Sequence, residues 1–332
     1  MNARPTSRTG FTLAELLVSL GIVGLLVSLL LPGIQNSRAQ ARQAQCANNL
    51  RGLAAAAMNY ESVHGGLPRT SSSGGDDGIS DSPHRHLMAF LDESVARQID
   101  FDDHTPPLTN PDARIIMNSP DNERLRERQL PFLVCPSDDA PPGSTNYRAN
   151  VGASVQVLRF RPPGSGEELA QSGAFVFGRQ VSLAEFRDGQ SNTALFSERV
   201  VGDRQADRYT PFRDLFAPPG PIFITTDAAL HACRSLASSD PPATYSWMGT
   251  SWLIGGHLHT WYNHVAGPNS RIPDCANGGG RLINDGGRGI FSARSLHAGG
   301  VNVAFADGAV RFVSQQIDLS VWRSLGTRAA GD

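Results

Sequence analysis

Three sets of side chains in this 332-residue chain have types and spacing that invite a chemical reading. The first is His297 with Asp307, an imidazole and a carboxylate of the kind that share a proton in hydrolysis or hold a metal. The second is His257-x-His259 with His264, three imidazoles close in sequence. The third is the four cysteines Cys46, Cys135, Cys233 and Cys275. Geometry argues against chemistry in the first set. The run from Val301 to Phe305 alternates as a strand does, and Asp307 is the natural first residue of the turn that follows. His297 and Asp307 are therefore expected at opposite ends of a strand, each in a hydrogen-bonding or turn role. Around the second set, Gly255, Gly256 and Trp261 read as a tryptophan-rich loop, not a metal cage. Ser251, in Gly-Thr-Ser-Trp-Leu, lacks the second glycine of a nucleophile elbow. Asp76-Asp77 and Asp138-Asp139 read as solvated acidic loops, and no EF-hand spacing is present. There is no lysine, so a phosphate-loop lysine, a Schiff base and a lysine general base are excluded. No metal, cofactor or catalytic residue is expected.

No two cysteines form a Cys-x-x-Cys pair, which also argues against zinc. In an exported head, disulfides would persist. Four cysteines allow three pairings. Treating the two halves as separate units favours Cys233–Cys275 and Cys46–Cys135, with buried free thiols as the competing state. The net charge of −2 and the lack of any basic run interleaved with aromatics give no nucleic-acid surface. With 34 glycines and 22 prolines, turns and irregular connections are favoured over long packed helices.

One stretch has to position everything else. From Phe11 to Ile34 the only charge is Glu15, and a helix from Phe11 to Leu31 would be roughly 30 Å long, about one bilayer core. A lone carboxylate there costs roughly 2.5–3.5 kcal/mol in lipid, so it needs a partner or a function. Past Pro32-Gly33 the helix turns amphipathic. Ile34, Ala41, Ala44, Leu50, Leu53, Ala57 and Met58 form its apolar face, and Gly65-Gly66 and Pro68 end it. A flexible loop runs from Thr70 to about Asp81, and residues 100–114 form another loop. A helix starts at Ser82 with Pro83 in its first turn and Leu87, Phe90 or Leu91, and Val95 on its face. Strands are expected over Leu130–Cys135, Ala174–Phe177, Thr193–Ser197 and Ile222–Thr226, and Thr145-Asn146-Tyr147 leads into Val151-Gly152. Ser182 to Glu185 is a capping-box turn, and residues 227–237 form a helix carrying Cys233. Residues 241–290 are irregular β structure and loops. Asp307-Gly308 suits a two-residue type I′ turn, which sets Phe305 opposite Val310 and Val303 opposite Phe312. A last helix, capped by Asp318, runs through Val321, Trp322 and Leu325 to Gly326.

Gly10-Phe11-Thr12-Leu13-Ala14-Glu15 resembles the processing site of type IV pilins and type II secretion pseudopilins. That resemblance implies cleavage between Gly10 and Phe11 by prepilin peptidase, N-methylation of Phe11, and pairing of Glu15 with a neighbouring subunit's amino terminus. Together with His297, Asp307-Gly308, Cys135-Pro136-Ser137-Asp138, Asp188-Gly189-Gln190-Ser191-Asn192-Thr193 and Leu325-Gly326-Thr327-Arg328, the chain resembles the DUF1559 family of pilin-like proteins abundant in planctomycete bacteria. His297, Asp307 and Gly308 match that family's C-terminal motif. The tryptophan usual between Ser82 and Leu91 is absent, and the tail ends Ala330-Gly331-Asp332 instead of with glutamate. The reading is an α+β fold, with a long N-terminal transmembrane and amphipathic helix packed on an antiparallel β-sheet head. Residues 1–10 form a leader, 11–62 the helix with its membrane part at about 11–31, and 64–332 the head outside the cytoplasm. The chain reads as a non-enzymatic, single-pass subunit of the inner membrane. Its expected partners are prepilin peptidase, other pilin-like subunits and lipid. An ordinary signal peptide with a small-residue site at Ala39-Gln40-Ala41 competes. So does an anchored or secreted binding or hydrolytic domain that borrows a pilin-type signal.

Overall fold

The computed structural model describes residues 13–70, 82–103, 119–155, 171–205, 207–217, 225–236, 245–277 and 288–331. Gly10 and Phe11, the Asp76-Asp77 loop, and most of the expected 100–114 loop lie outside the described residues, as do positions 222–224 of the expected strand ending at Thr226.

Helix α1 (Leu13–His64) is unbroken for 52 residues, about 78 Å. Pro32 lies within it and has no amide to give the carbonyl of Ser28. Its first part is wholly exposed from Leu13 to Leu31. Burial begins at Cys46 and continues through Asn49, Leu50, Leu53, Ala54, Ala56, Ala57 and Tyr60, one stripe at helical spacing. Ile34, Ala41 and Ala44, expected on the packed face, are exposed because the head reaches the helix only from Cys46 onward. The buried stripe is part of the main core, with Leu133, Phe175, Phe196, Trp252, Trp261 and Ala304.

Helix α2 (Pro83–Leu91) begins where expected, Ser82 accepting from the His84 amide, and buries Leu87 and Met88. Helix α3 is Glu93–Ala96 and α4 is Pro120–Arg126. The expected strand at Leu130–Cys135 is instead a 3-10 turn at Pro131–Leu133. Pro131 has no N–H for a ladder, and the Leu133 amide turns back to the Leu130 carbonyl.

The main sheet has the order β3-β1-β2-β6-β7, with β1 Tyr147–Asn150, β2 Ala194–Glu198, β3 Trp261–Tyr262, β6 Gly300–Phe305 and β7 Val310–Ser314. Two short strands, β4 (Ala276–Asn277) and β5 (Arg288–Gly289), pair separately. The expected sheet is antiparallel, but this one is mixed. β1·β2, β2·β6 and β6·β7 are antiparallel, whereas β3 arrives after a long connection and lies parallel to β1. No strand forms at Ala174–Phe177. Gly178, at φ +79°, turns the chain back at once and leaves a single bridge from Val176 to Arg179. The capping box at Ser182 and Glu185 is present.

The β6–β7 turn differs from the expected one. Gly308 is left-handed at φ +81° and Asp307 is not, while the Phe305 amide donates to Ala309. The loop is therefore the three residues Ala306-Asp307-Gly308, and the Asp307 carboxylate accepts from the Ala309 amide. The register moves by one residue, so Ala304 faces Val310, Val303 faces Arg311 and Asn302 faces Phe312. Both faces of β6 are covered. Ala304 and Ala306 join the core shared with α1, while Val301, Val303 and Phe305 pack with Trp322 of the last helix, α6 (Leu319–Ser324). Asp318 caps α6 as expected, whereas Val321 is half exposed. Helix α5 (Thr226–Leu236) begins at Thr226, where the sequence suggested the end of a strand.

Candidate functional site

The head's chemistry-bearing groups converge on the start of β6 and the end of β2. Glu198, the last residue of β2, is buried. Its carboxylate accepts from the Asn302 amide at 2.7 Å, the Asn302 side-chain amide at 3.0 Å and His297 Nε2 at 3.1 Å. The same Nε2 lies 3.5 Å from Cys135 Sγ. Cys135 is bonded to Cys46 of α1, and Cys233 of α5 to Cys275. His297 therefore rests against the disulfide that ties the long helix to the head.

The chain around Cys135 is held by its own polar residues. The Cys135 amide donates to Asn146 Oδ1, and Asn146 Nδ2 donates to Asp138 and to the Arg199 carbonyl. Asp138 also accepts from the Val201 amide and pairs with Arg213 at 2.8 Å. It is thus a buried junction and not the solvated acid the sequence suggested. Asn49 of α1 donates to the Pro131 and Val134 carbonyls and to the Tyr147 hydroxyl, so the helix is hydrogen-bonded to the same loop. Beneath lies Asp274, fully buried between Arg199 at 3.0 Å and Arg294 at 2.8 Å. Burial pushes its carboxyl up, but the two guanidinium groups outweigh this together and hold it below the ordinary range. A narrow cleft of about 10 Å³, lined by Cys135, Asp138, Asn146, Glu198, Arg199 and Arg294, opens beside this network.

Asp307 takes no part in the cluster. A Cβ on Gly308 would come within 3.2 Å of Met58 Sδ, so the turn lies against α1 at Met58. Cys46 is twelve residues earlier, about 18 Å along the helix. His297 and Asp307-Gly308 thus engage α1 at two separate levels. Nor do His257, His259 and His264 gather. His257 stacks on Phe291 at 4.0 Å, and its carbonyl accepts from Arg148. His264 lies between the Tyr262 hydroxyl and the Trp322 carbonyl. Burial drives all three rings down to about 3. The Asp188-Gly189 segment anchors the tail, its carboxylate accepting from the Ala330 and Gly331 amides while Thr193 Oγ1 donates to the Thr327 carbonyl. Two pairs of sequence motifs are thus in direct contact, His297 with Cys135 and the Asp188–Thr193 segment with the tail.

The family described as a protein of unknown function, DUF1559, matches residues 35–320, most of the chain. The chain belongs to the DUF1559 family. No curated protein and no solved structure matches it. In this DUF1559 chain the C-terminal histidine serves a buried junction that sequence reading did not assemble. Glu198, Asn302, Asp274, Arg199 and Arg294 went unidentified. The available signal was Glu198-Arg199, a charged pair closing an otherwise apolar strand. Glu15 lies in the first turn of α1, a helix long and apolar enough to cross a membrane.

Proposed function

We propose that this chain is a pilin-like, membrane-anchored structural subunit, cut between Gly10 and Phe11 by prepilin peptidase and assembled through α1 in a type II secretion or type IV pilus-like system. The observation that carries the reading is one continuous helix with two environments. Its Leu13–Leu31 part is exposed, apolar and charged only at Glu15, while its Cys46–Tyr60 part is built into the core of the head. In lipid, Glu15 calls for a positive partner, and the new amino terminus of a neighbouring subunit supplies one. A Cβ at Gly21 or Gly24 would meet nothing within 4 Å, so neither glycine serves packing inside the subunit, and both leave room for a close neighbour helix. In this reading the subunit sits in the inner membrane with Arg4 and Arg8 on the cytoplasmic side and the head outside. The head, in this reading, acts as scaffold, with His297 hydrogen-bonded to Glu198 and resting against the disulfide. Co-expression with prepilin peptidase tests this. Mass spectrometry is expected to find an amino terminus of N-methylated Phe11, and Glu15→Ala is expected to abolish membrane oligomers while leaving the head folded. A mature chain starting at Arg42, or one that still carries Met1, rules the proposal out.

A further inference from the structure

The geometry points to a zinc site formed by Cys46, Cys135, His297 and Glu198, whose occupancy alternates with the Cys46–Cys135 disulfide. Among the described residues, these four offer a sulfur, a second sulfur, an imidazole nitrogen and a carboxylate oxygen within 4.8 Å of one another. Four protein donors around tetrahedral zinc, at 2.0–2.3 Å from the ion, lie roughly 3.3–3.8 Å apart. Two contacts are already close to that range, Cys135 Sγ to His297 Nε2 at 3.5 Å and His297 Nε2 to Glu198 Oε1 at 3.1 Å. The main adjustment is the parting of the two sulfurs once their bond is broken.

The donors come from four separate segments: α1, the loop before β1, the end of β2 and the chain before β6. All four residues are buried, and Asn302 orients the carboxylate through two hydrogen bonds. Such fixed support raises the affinity of a metal ligand. Two thiolates with one imidazole suit zinc and disfavour magnesium or calcium. Two thiolates and a carboxylate around Zn²⁺ leave one net negative charge, and Arg199 and Arg294 line the adjoining cleft.

The exchange balances. A dithiol reductant gives two electrons and two protons to the Cys46–Cys135 bond, yielding two thiols and the reductant's own disulfide. Zn²⁺ then displaces both thiol protons to solvent, and the His297 proton shifts from Nε2 to Nδ1. Either state fastens α1 to the head, so the helix remains docked across a change of redox conditions.

The test uses the full chain in detergent, reduced with a dithiol, desalted without oxygen and titrated with Zn²⁺, with Co²⁺ as a spectroscopic stand-in. One zinc per reduced chain is expected, with a thiolate-to-cobalt charge-transfer band and protection of Cys46 and Cys135 from reoxidation. The disulfide form should take none there. His297→Ala and Glu198→Gln should each weaken binding at least tenfold, whereas paired Cys233→Ser and Cys275→Ser should not. If reduction alone unfolds the head, zinc should restore its near-ultraviolet circular dichroism, and failure to do so overturns the site. Cys46→Ser, which cannot form the disulfide, keeps three donors, and zinc should raise its Tm. No shift in that variant, or uptake unchanged by His297→Ala and Glu198→Gln, also overturns the proposal.

Discussion

At the scale of single residues, the head is held in part by buried charge pairs. Asp274 receives Arg199 and Arg294 with all three side chains nearly free of solvent. Replacing it by asparagine leaves two guanidinium groups buried without their counter-ion. Asp274→Asn is expected to cost about 3–5 kcal/mol, read as a lower urea midpoint at unchanged slope. His297 illustrates how a suggestive side chain can be structural. Sequence placed it at the far end of a strand from Asp307, and that separation is what the structure has. The residue that completes its environment, Glu198, lies 99 positions away.

At the scale of elements, local chemistry set much of what was readable. Ser182 with Glu185, Ser82 with Pro83, and Asp318 ahead of α6 each satisfy amides within a few residues, and all three form where expected. The β6–β7 turn shows where such reading slips. Asp-Gly suits both a two-residue turn and a three-residue loop with a left-handed glycine, and the choice moves every facing pair by one residue. The loop that forms lets the Asp307 carboxylate accept from the Ala309 amide and seats Gly308 against Met58. Gly308→Ala places a side chain in the left-handed region and crowds Met58. It is expected to destabilise the head by about 1–2 kcal/mol, lowering the thermal midpoint by a few degrees. The missing strands at Leu130–Cys135 and Ala174–Phe177 share a cause. Proline and glycine turned the backbone before a ladder could be paired.

At the scale of the whole molecule, histidine burial makes acid the weak point. Burial lowers His84 and His86 to about 4 and His257, His259 and His264 to about 3, against an unfolded value of 6.5. The unfolded chain therefore binds the extra protons. Stability is full above about pH 6.5 and is lost as pH falls towards 4 and then 3. Asp214 opposes this. Burial raises it to about 7, so its contribution favours folding at low pH and fades as pH rises from about 4 to 7. Five rings outweigh one carboxylate, so the unfolding free energy is expected to be lower at pH 5 than at pH 7.5 by on the order of several kcal/mol, read as a clearly lower urea midpoint. The sequence by itself determined the long two-environment helix, the family, the caps and the existence of the final hairpin, because periodicity, composition and capping act over a few residues. Only the tertiary structure decided the strand register, the parallel β3, the point where α1 meets the head, and the meeting of Cys46, Cys135, Glu198 and His297. Those depend on which distant surfaces bury one another, and a buried polar group finds its partner by that packing, not by its place along the chain.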